Sequence, residues 1–150
     1  MNTWLEGVKV VSMAVNLPGP LACHRLSVWG AEVQKIEPPS GDPLKAAYPK
    51  WYQLLHQRQE ILTLDLKSPT GKQRLLDLLT NADIFITAQR PTALLKLGLN
   101  WESLHRQCPR LNMIRILGYS GARAEEPAHD LNCQAEAGLL QPPHLPRALV

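Results

Sequence analysis

The alternation of strands and helices in this chain is clearest in Val8–Glu37, which reads VKVVSMAVNLPGPLACHRLSVWGAEVQKIE. Its first seven residues are β-branched and apolar, and they predict a buried strand. Pro18-Gly19-Pro20 then begins a predicted helix, and Gly30 ends that helix where a left-handed residue is favoured. Glu32–Glu37 alternates polar and apolar residues, which predicts a strand with one solvent-facing side. Two strands joined by a crossover helix are the repeating unit of a parallel sheet.

The same alternation continues along the rest of the chain. Further strands are predicted over Ile61–Leu66, Asp83–Thr87 and Leu111–Leu117; further helices are predicted from Ser68-Pro69 onward, over Pro91–Leu97, over Trp101–Gln107 behind an Asn100 cap, and from about Asp130 to Leu140. Pro38–Gln57 shows no clear period, and we expect a long loop there. The pattern predicts an α/β, Rossmann-like fold, with a mostly parallel sheet and helices on both faces.

The composition excludes several classes of protein. The chain has 150 residues, which suits one ordinary domain, and 16 Lys and Arg against 13 Asp and Glu give a net charge of +3. That charge is too low to predict nucleic-acid binding. No apolar run approaches the roughly 18 residues of a membrane span, and the first residues lack the pattern of a secretory signal. We therefore expect a cytoplasmic protein that binds neither nucleic acid nor membrane.

Three cysteines, Cys23, Cys108 and Cys133, lie far apart in the sequence. Their odd number and the lack of Cys-x-x-Cys spacing argue against a disulfide framework and a zinc knuckle. His129 and Cys133 have helical i, i+4 spacing, but two ligands without others do not make a metal site. We expect unpaired thiols and no bound metal.

The turn after the first strand does not have the sequence of a nucleotide-binding loop. Ligands of open α/β sheets bind beyond the carboxyl ends of the strands. Asn16–Pro20 contains one glycine between two prolines, whereas the dinucleotide fingerprint needs Gly-x-Gly-x-x-Gly. No Walker loop is found either. NAD and ATP are therefore disfavoured as ligands.

A series of short segments resembles the class III coenzyme A transferases, the family that also includes alpha-methylacyl-CoA racemases. In chain order they are Leu5–Val11, Pro18-Gly19-Pro20, Trp29–Val33, Lys35–Pro39, Leu64–Lys67, Arg90-Pro91, Leu97-Gly98-Leu99, Pro109-Arg110-Leu111 and His129-Asp130-Leu131. The resemblance implies a Rossmann-like domain that takes acyl-CoA as substrate, without a covalently bound cofactor, in subunits interlocked as a dimer. In the transferases a carboxylate attacks the acyl thioester, and in the racemases a histidine and a carboxylate move a proton beside it.

The resemblance also implies candidate site residues. His129 and Asp130 correspond to the racemases' Gly-His-Asp motif and are the candidate catalytic residues, while Arg90 and Lys96 are candidates for binding coenzyme A. On its own chemistry His129 can exchange protons near pH 7, and Arg90 can bind a phosphate. The alternatives are a surface imidazole with Asp130 as a plain helix cap, and a solvated Arg90. Ala128 replaces the motif's glycine.

Two further groups of residues have weaker indications. Lys35, Lys45 and Lys50 flank the long loop and could serve phosphates, although such charges are usually solvated. We expect the Asp65-Leu66-Lys67 turn to fix a strand-to-helix connection rather than to touch ligand. Ala88-Gln89 replaces the Asn-Phe pair that this family usually has before Arg90.

The resemblance covers nearly the whole chain but only the N-terminal part of such an enzyme. We expect residues 1–141 to form the coenzyme-binding domain and residues 142–150 to lead into a missing remainder that holds the catalytic carboxylate. The chain is then incomplete alone, and a homo-oligomer or a second chain completes it. Two alternatives remain open: a racemase-like enzyme that epimerises 2-methylacyl-CoA through His129, and a non-catalytic remnant or interaction subunit.

Overall fold

The computed structural model describes residues 3–140, in which the chain divides after Ile116 into two compact units. The first unit contains a five-stranded sheet, made of β1 (Lys9–Ser12), β2 (Glu32–Glu37), β3 (Glu60–Thr63), β4 (Ile84–Thr87) and β5 (Asn112–Arg115). The strand order is β3-β2-β1-β4-β5, and each neighbouring pair is parallel. The predicted α/β fold with a parallel sheet is confirmed.

Helices cover both faces of this sheet. They are α1 (Pro18–Val28), α2 (Pro43–Ala47), α3 (Pro49–His56), α4 (Pro69–Thr80), α5 (Pro91–Leu97) and α6 (Trp101–Gln107). Adjacent strand residues point to opposite faces. Val11 and Phe85 therefore enter the cluster built by α4, α5 and α6, whereas Val10 and Ile86 enter the cluster that includes Cys23 of α1.

Several predicted elements are observed with unchanged bounds. β2, α5 and α6 run over Glu32–Glu37, Pro91–Leu97 and Trp101–Gln107. The glycines that end two helices are left-handed, with φ of +104° at Gly30 and +69° at Gly98. Glycine adopts this conformation at little cost, so these two helices end where the sequence predicts.

The predicted long loop is wrong in part, because Pro38–Gln57 contains α2 and α3. Asp42 caps α2, since its carboxylate accepts a hydrogen bond from the Leu44 N–H at 2.9 Å. Pro43 then occupies the first helical turn, as Pro69 does in α4. The Asp-Pro pair is thus a helix-start signal of the same kind as Ser68-Pro69.

Several strand predictions also need correction, beginning with the strand predicted over Val8–Ala14, which is limited to Lys9–Ser12. β3 ends at Thr63 rather than Leu66, because Asp65 belongs to a turn: its carbonyl accepts from the Ser68 N–H at 3.1 Å. β5 is limited to Asn112–Arg115. The solvent-facing side expected for β2 is absent at its carboxyl end, where Lys35 and Glu37 are only 1% and 4% exposed.

The second unit, described over residues 117–140, contains a short 3-10 helix (Gly121–Arg123) and α7 (Asp130–Glu136). The Arg123 guanidinium stacks on the Tyr119 ring at 3.7 Å and donates two hydrogen bonds, of 3.0 and 3.1 Å, to the Glu136 carboxylate. α7 is shorter than predicted, since Gly138 is left-handed with φ of +71°. The predicted connector, residues 142–150, lies outside the described residues.

All three cysteines are free, with Cys23 and Cys108 buried and Cys133 exposed. Among residues 3–140, no helix combines the length and the apolar character of a membrane span. The same residues contain no cluster of three or more His, Cys, Asp or Glu side chains suited to a metal ion.

Ser68→Ala is expected to lower the free energy of unfolding by about 1 kcal/mol, because the Ser68 hydroxyl accepts a hydrogen bond from the Gly71 N–H at 3.1 Å. Urea denaturation measures the change. Asn100→Ala is the matched control: Asn100 precedes α6, yet its side chain makes no cap and donates instead to Glu102. Equal losses in the two variants would contradict the assigned cap.

Candidate functional site

A cavity of about 670 Å³ lies at the carboxyl ends of the parallel strands. Its walls are the segments that follow β1, β2, β3 and β4, together with the end of α5: Met13, Val15, Ile36, Pro38, Pro39, Ser40, Gly41, Pro43, Leu64, Asp65, Leu66, Lys67, Gln89 and Leu97. This edge of an open α/β sheet is where ligands bind. The cavity is therefore the candidate binding site of the first unit.

The cavity wall is mainly apolar, with a few polar side chains, as is usual for small-molecule sites. Lys67 is the cation among the lining residues described, and its backbone N–H donates to the Asp65 carboxylate at 3.0 Å. The Asp65-Leu66-Lys67 turn thus fixes the strand-to-helix connection, as predicted. It also lines the cavity, contrary to the prediction that it does not touch ligand.

Two backbone features shape the segments beside the cavity. After β2, a tight turn is closed by the Gly41 N–H donating to the Pro38 carbonyl at 2.8 Å, with Gly41 at φ +77°. After β1, Asn16 is left-handed at φ +66°. A side chain on Gly19 would lie 2.1 Å from the Cβ of Ala14, so α1 begins in close contact with the end of β1.

The two predicted coenzyme-binding residues lie at opposite ends of α5. Arg90 precedes the helix, Lys96 is in its last turn, and both side chains are exposed. Neither lines the cavity, but their chain neighbours Gln89 and Leu97 do. The structure thus brings the chain neighbours of both cations into the cavity lining, but not the two cations themselves.

The two predicted catalytic residues lie in the second unit. His129 precedes α7 and is exposed, and its backbone N–H donates to the Asn132 side chain at 3.1 Å. Asp130 is the first residue of α7, and its carboxylate accepts from the Gln134 amide. An acidic residue in the first turn also stabilises the helix dipole.

A buried polar network, absent from the predictions, lies beside the cavity. The Lys35 ammonium forms an ion pair with Asp42, lies 3.5 Å from the Glu37 carboxylate and is 2.9 Å from Nε2 of His56. The Tyr52 hydroxyl donates to Glu37 at 2.7 Å. We call these five residues the Lys35 network. Lys35, expected to be solvated, is thus one of the most deeply buried side chains described.

Burial shifts the protonation of two network members. It lowers the pKa of His56, and the neighbouring Lys35 ammonium acts in the same direction. It raises the pKa of Tyr52, and the hydrogen bond to the Glu37 carboxylate raises it further. At neutral pH the imidazole and the phenol are therefore both uncharged.

A local signal could have identified part of this network. Asp42 before Pro43 indicates a helix cap. Where such a carboxylate is buried, it needs a cation beside it, because an unpaired buried charge is costly. The contacts of Lys35 with His56, 21 residues away, depend on how α3 packs and are not readable from spacing.

Comparison with known proteins gives consistent results. The profile of CoA-transferase family III matches residues 5–143. The chain is 38% identical over 125 residues to the cinnamoyl-CoA:phenyllactate CoA-transferase of Clostridium sporogenes, covering 76% of this chain and 30% of that protein. It is 33% identical over 139 residues to the (R)-2-hydroxy-4-methylpentanoate CoA-transferase of Clostridioides difficile, covering 84% of this chain and 35% of that protein.

A solved structure agrees with the sequence matches. The CAIB/BAIF family protein from Brucella suis superimposes with a TM-score of 0.86 at 30% identity, over 92% of this chain and 40% of that one. The chain thus spans between about a third and two fifths of the length of these relatives. Because the family profile matches nearly all of the sequence, the chain belongs to CoA-transferase family III.

Proposed function

We propose that this chain binds acyl-CoA in the cavity at the carboxyl ends of β1–β4 and serves a CoA-transferase that moves coenzyme A from an acyl thioester to a free carboxylic acid. The observation that carries the proposal is the cavity itself, an apolar cleft with Lys67 in its wall and with Gln89 and Leu97, the chain neighbours of Arg90 and Lys96, in its lining. Coenzyme A has an adenine ring and a pantetheine arm, both of which can pack against apolar walls, and several phosphates. Lysine and arginine are suited to the phosphates.

The described residues of this chain account for binding rather than for bond exchange. Lys67, Arg90 and Lys96 hold the phosphates, and the apolar walls exclude water from the arm of the coenzyme. We assign the carboxylate that attacks the thioester to a part of the enzyme other than residues 3–140. Transfer of coenzyme A is favoured over epimerisation because the relatives are named as CoA-transferases.

Isothermal titration with acetyl-CoA tests the binding site. Lys67→Ala is expected to raise the Kd about tenfold, because it removes a charge-assisted hydrogen bond to phosphate. Lys50→Ala is the control, since Lys50 is an exposed lysine outside the cavity lining. Millimolar or weaker binding by the unmodified protein would refute the proposal and favour a non-catalytic interaction subunit.

We also propose a second candidate function, epimerisation of a 2-methylacyl-CoA, in which His129 of the second unit carries the proton at C2 and Asp130 acts beside it. The His129 side chain is exposed, and histidine is the side chain that most often serves as a general acid or base. Deuterium incorporation at C2 of a 2-methylacyl-CoA, measured with the complete enzyme, tests the role. Transfer of coenzyme A to a free acid, with release of the original acid and without any incorporation, would show that His129 does not carry that proton.

A further inference from the structure

The Lys35 network connects three segments that border the cavity. The Asp42 carboxylate accepts from the Leu44 N–H at 2.9 Å, and the same oxygen lies 3.5 Å from the Asn16 N–H of the β1–α1 turn. Its other oxygen pairs with Lys35 of β2. Gly41 and Pro43, on either side of Asp42, line the cavity. The position of this wall therefore depends on where Lys35 holds Asp42.

His56 fixes the position of Lys35 from the other side. An ammonium group only donates hydrogen bonds, so Nε2 of His56, 2.9 Å away, must offer a lone pair. Nδ1 then carries the proton and donates to the Tyr52 carbonyl at 2.7 Å. Only the neutral imidazole satisfies both contacts. A protonated ring would present an N–H to the ammonium and place two cations in contact.

We propose that the Lys35 network is a positioning device for the cavity wall at residues 38–43, and that protonation of His56 releases this wall and weakens binding of the coenzyme. The proposal rests on the proposed function for its ligand. Lys35, Asp42 and His56 are positioning residues, because they do not line the cavity.

Whether His56 takes up a proton depends on the charged and titratable groups of the elements packed around it. β2 contributes Lys35 and Glu37, the following loop contributes Asp42, and α3 contributes Tyr52, whose hydroxyl already donates to Glu37. From α2, the Lys45 ammonium lies 5.5 Å from the Tyr52 ring, and from α1 the Cys23 thiol is kept neutral by burial, which raises its pKa. The two carboxylates favour an imidazolium, but both already contact Lys35. Burial and the ammonium oppose it, and the net effect is a lowered pKa of His56.

The sign of the pH dependence follows from this balance. The unfolded chain takes up a proton at the ordinary histidine pKa, whereas the folded protein takes it up only at a lower pH. The contribution of His56 to stability is therefore complete above the ordinary value and is lost as the pH falls below it. Below the lowered pKa, the binding-competent fraction falls about tenfold for each pH unit, and the affinity falls with it.

The test measures desulfo-CoA affinity by calorimetry between about pH 7.5 and about pH 5, over the range in which histidine titrates. It uses the unmodified protein, His56→Gln and His105→Gln. His105 is exposed and stacks on Trp101, so its variant keeps His56 and controls for the loss of a histidine outside the network. We expect the unmodified protein and His105→Gln to lose affinity together on acidification, and His56→Gln to lose less. Parallel losses in all three proteins would overturn the proposal.

A second measurement is independent of the ligand. Hydrogen exchange of the Leu44 amide, whose N–H donates to Asp42, reports the cavity wall directly. In the unmodified protein we expect its protection to fall on acidification, and in His56→Gln to change less. If no coenzyme binds at any pH while this difference is present, the proposed function fails and the positioning device remains. If coenzyme binds but protection is equally pH-dependent in both proteins, the device fails.

Discussion

Replacing Lys35 by methionine is expected to lower the free energy of unfolding by about 3–5 kcal/mol at neutral pH. Methionine fills a similar volume, so the cost is electrostatic. The side chains of Asp42 and Glu37 are 0% and 5% exposed, and both would lose their buried cation. An uncompensated buried carboxylate is costly because the protein interior solvates charge far less well than water does.

Urea denaturation of Lys35→Met and of Lys50→Met measures this effect. Lys50 is exposed on α3, so its replacement deletes the same charge without burying an unpaired one. We expect the control to stay within about 0.5 kcal/mol of the unmodified protein. If the two variants have the same stability, the ion pairs of Lys35 do not contribute to the fold.

Gly71→Ala is expected to destabilise the protein by about 2–3 kcal/mol, against the usual preference for alanine. In an ordinary helix this change stabilises by up to about 1 kcal/mol. Here the new Cβ would lie 2.1 Å from the Asp65 carbonyl oxygen, which is backbone and cannot rotate away. Relief of the clash must break the hydrogen bonds that this carbonyl accepts from the N–H and the hydroxyl of Ser68.

The same variant should weaken acetyl-CoA binding, because Asp65 and Lys67 line the cavity and move with the turn. Thr70→Ala is the control, an exposed position in the same helical turn. Thermal unfolding and titration of both proteins measure the two effects. A Gly71→Ala protein at least as stable as the unmodified one would mean that the turn adapts without cost.

The sequence predicts those elements whose limits are set by local chemistry. Gly98 ends α5 because its φ of +69° is costly for other residues, and Ser68 begins α4 because its hydroxyl accepts from a free backbone N–H. Both features depend on residues within one turn. The topology also follows from the pattern, since alternating strands and helices require parallel crossovers.

What the sequence does not predict depends on contacts between distant segments. Lys35 was expected to be solvated, because a charged residue is usually exposed. Its burial requires α2 and α3, which supply Asp42 and His56 and which lie within a segment expected to be a loop. Lys67 was predicted to belong only to the strand-to-helix turn. Its position in the cavity wall is not predictable locally, because the wall forms only when several strands assemble into the sheet.

The candidate site also has features that the local sequence predicts and features that depend on contacts between distant segments. The family resemblance makes Arg90, Lys96, His129 and Asp130 candidates by their position in the sequence, and the structure places only the neighbours of the first two, Gln89 and Leu97, in the cavity lining. The cavity walls come from segments that follow four different strands. Their convergence is a consequence of strand order, which no single motif contains.

The central position of β1 has a consequence for how the chain acquires its structure. On one edge β1 pairs with β2, which follows after a single crossover. On its other edge β1 pairs with β4, with Val10 opposite Ile84, and β4 comes much later in the chain. During synthesis the first three strands are available well before that partner emerges from the ribosome. The unpaired edge of Val10–Ser12 is therefore transiently open to pairing with other chains, because long-range parallel pairs form slowly and leave a nascent sheet exposed to aggregation.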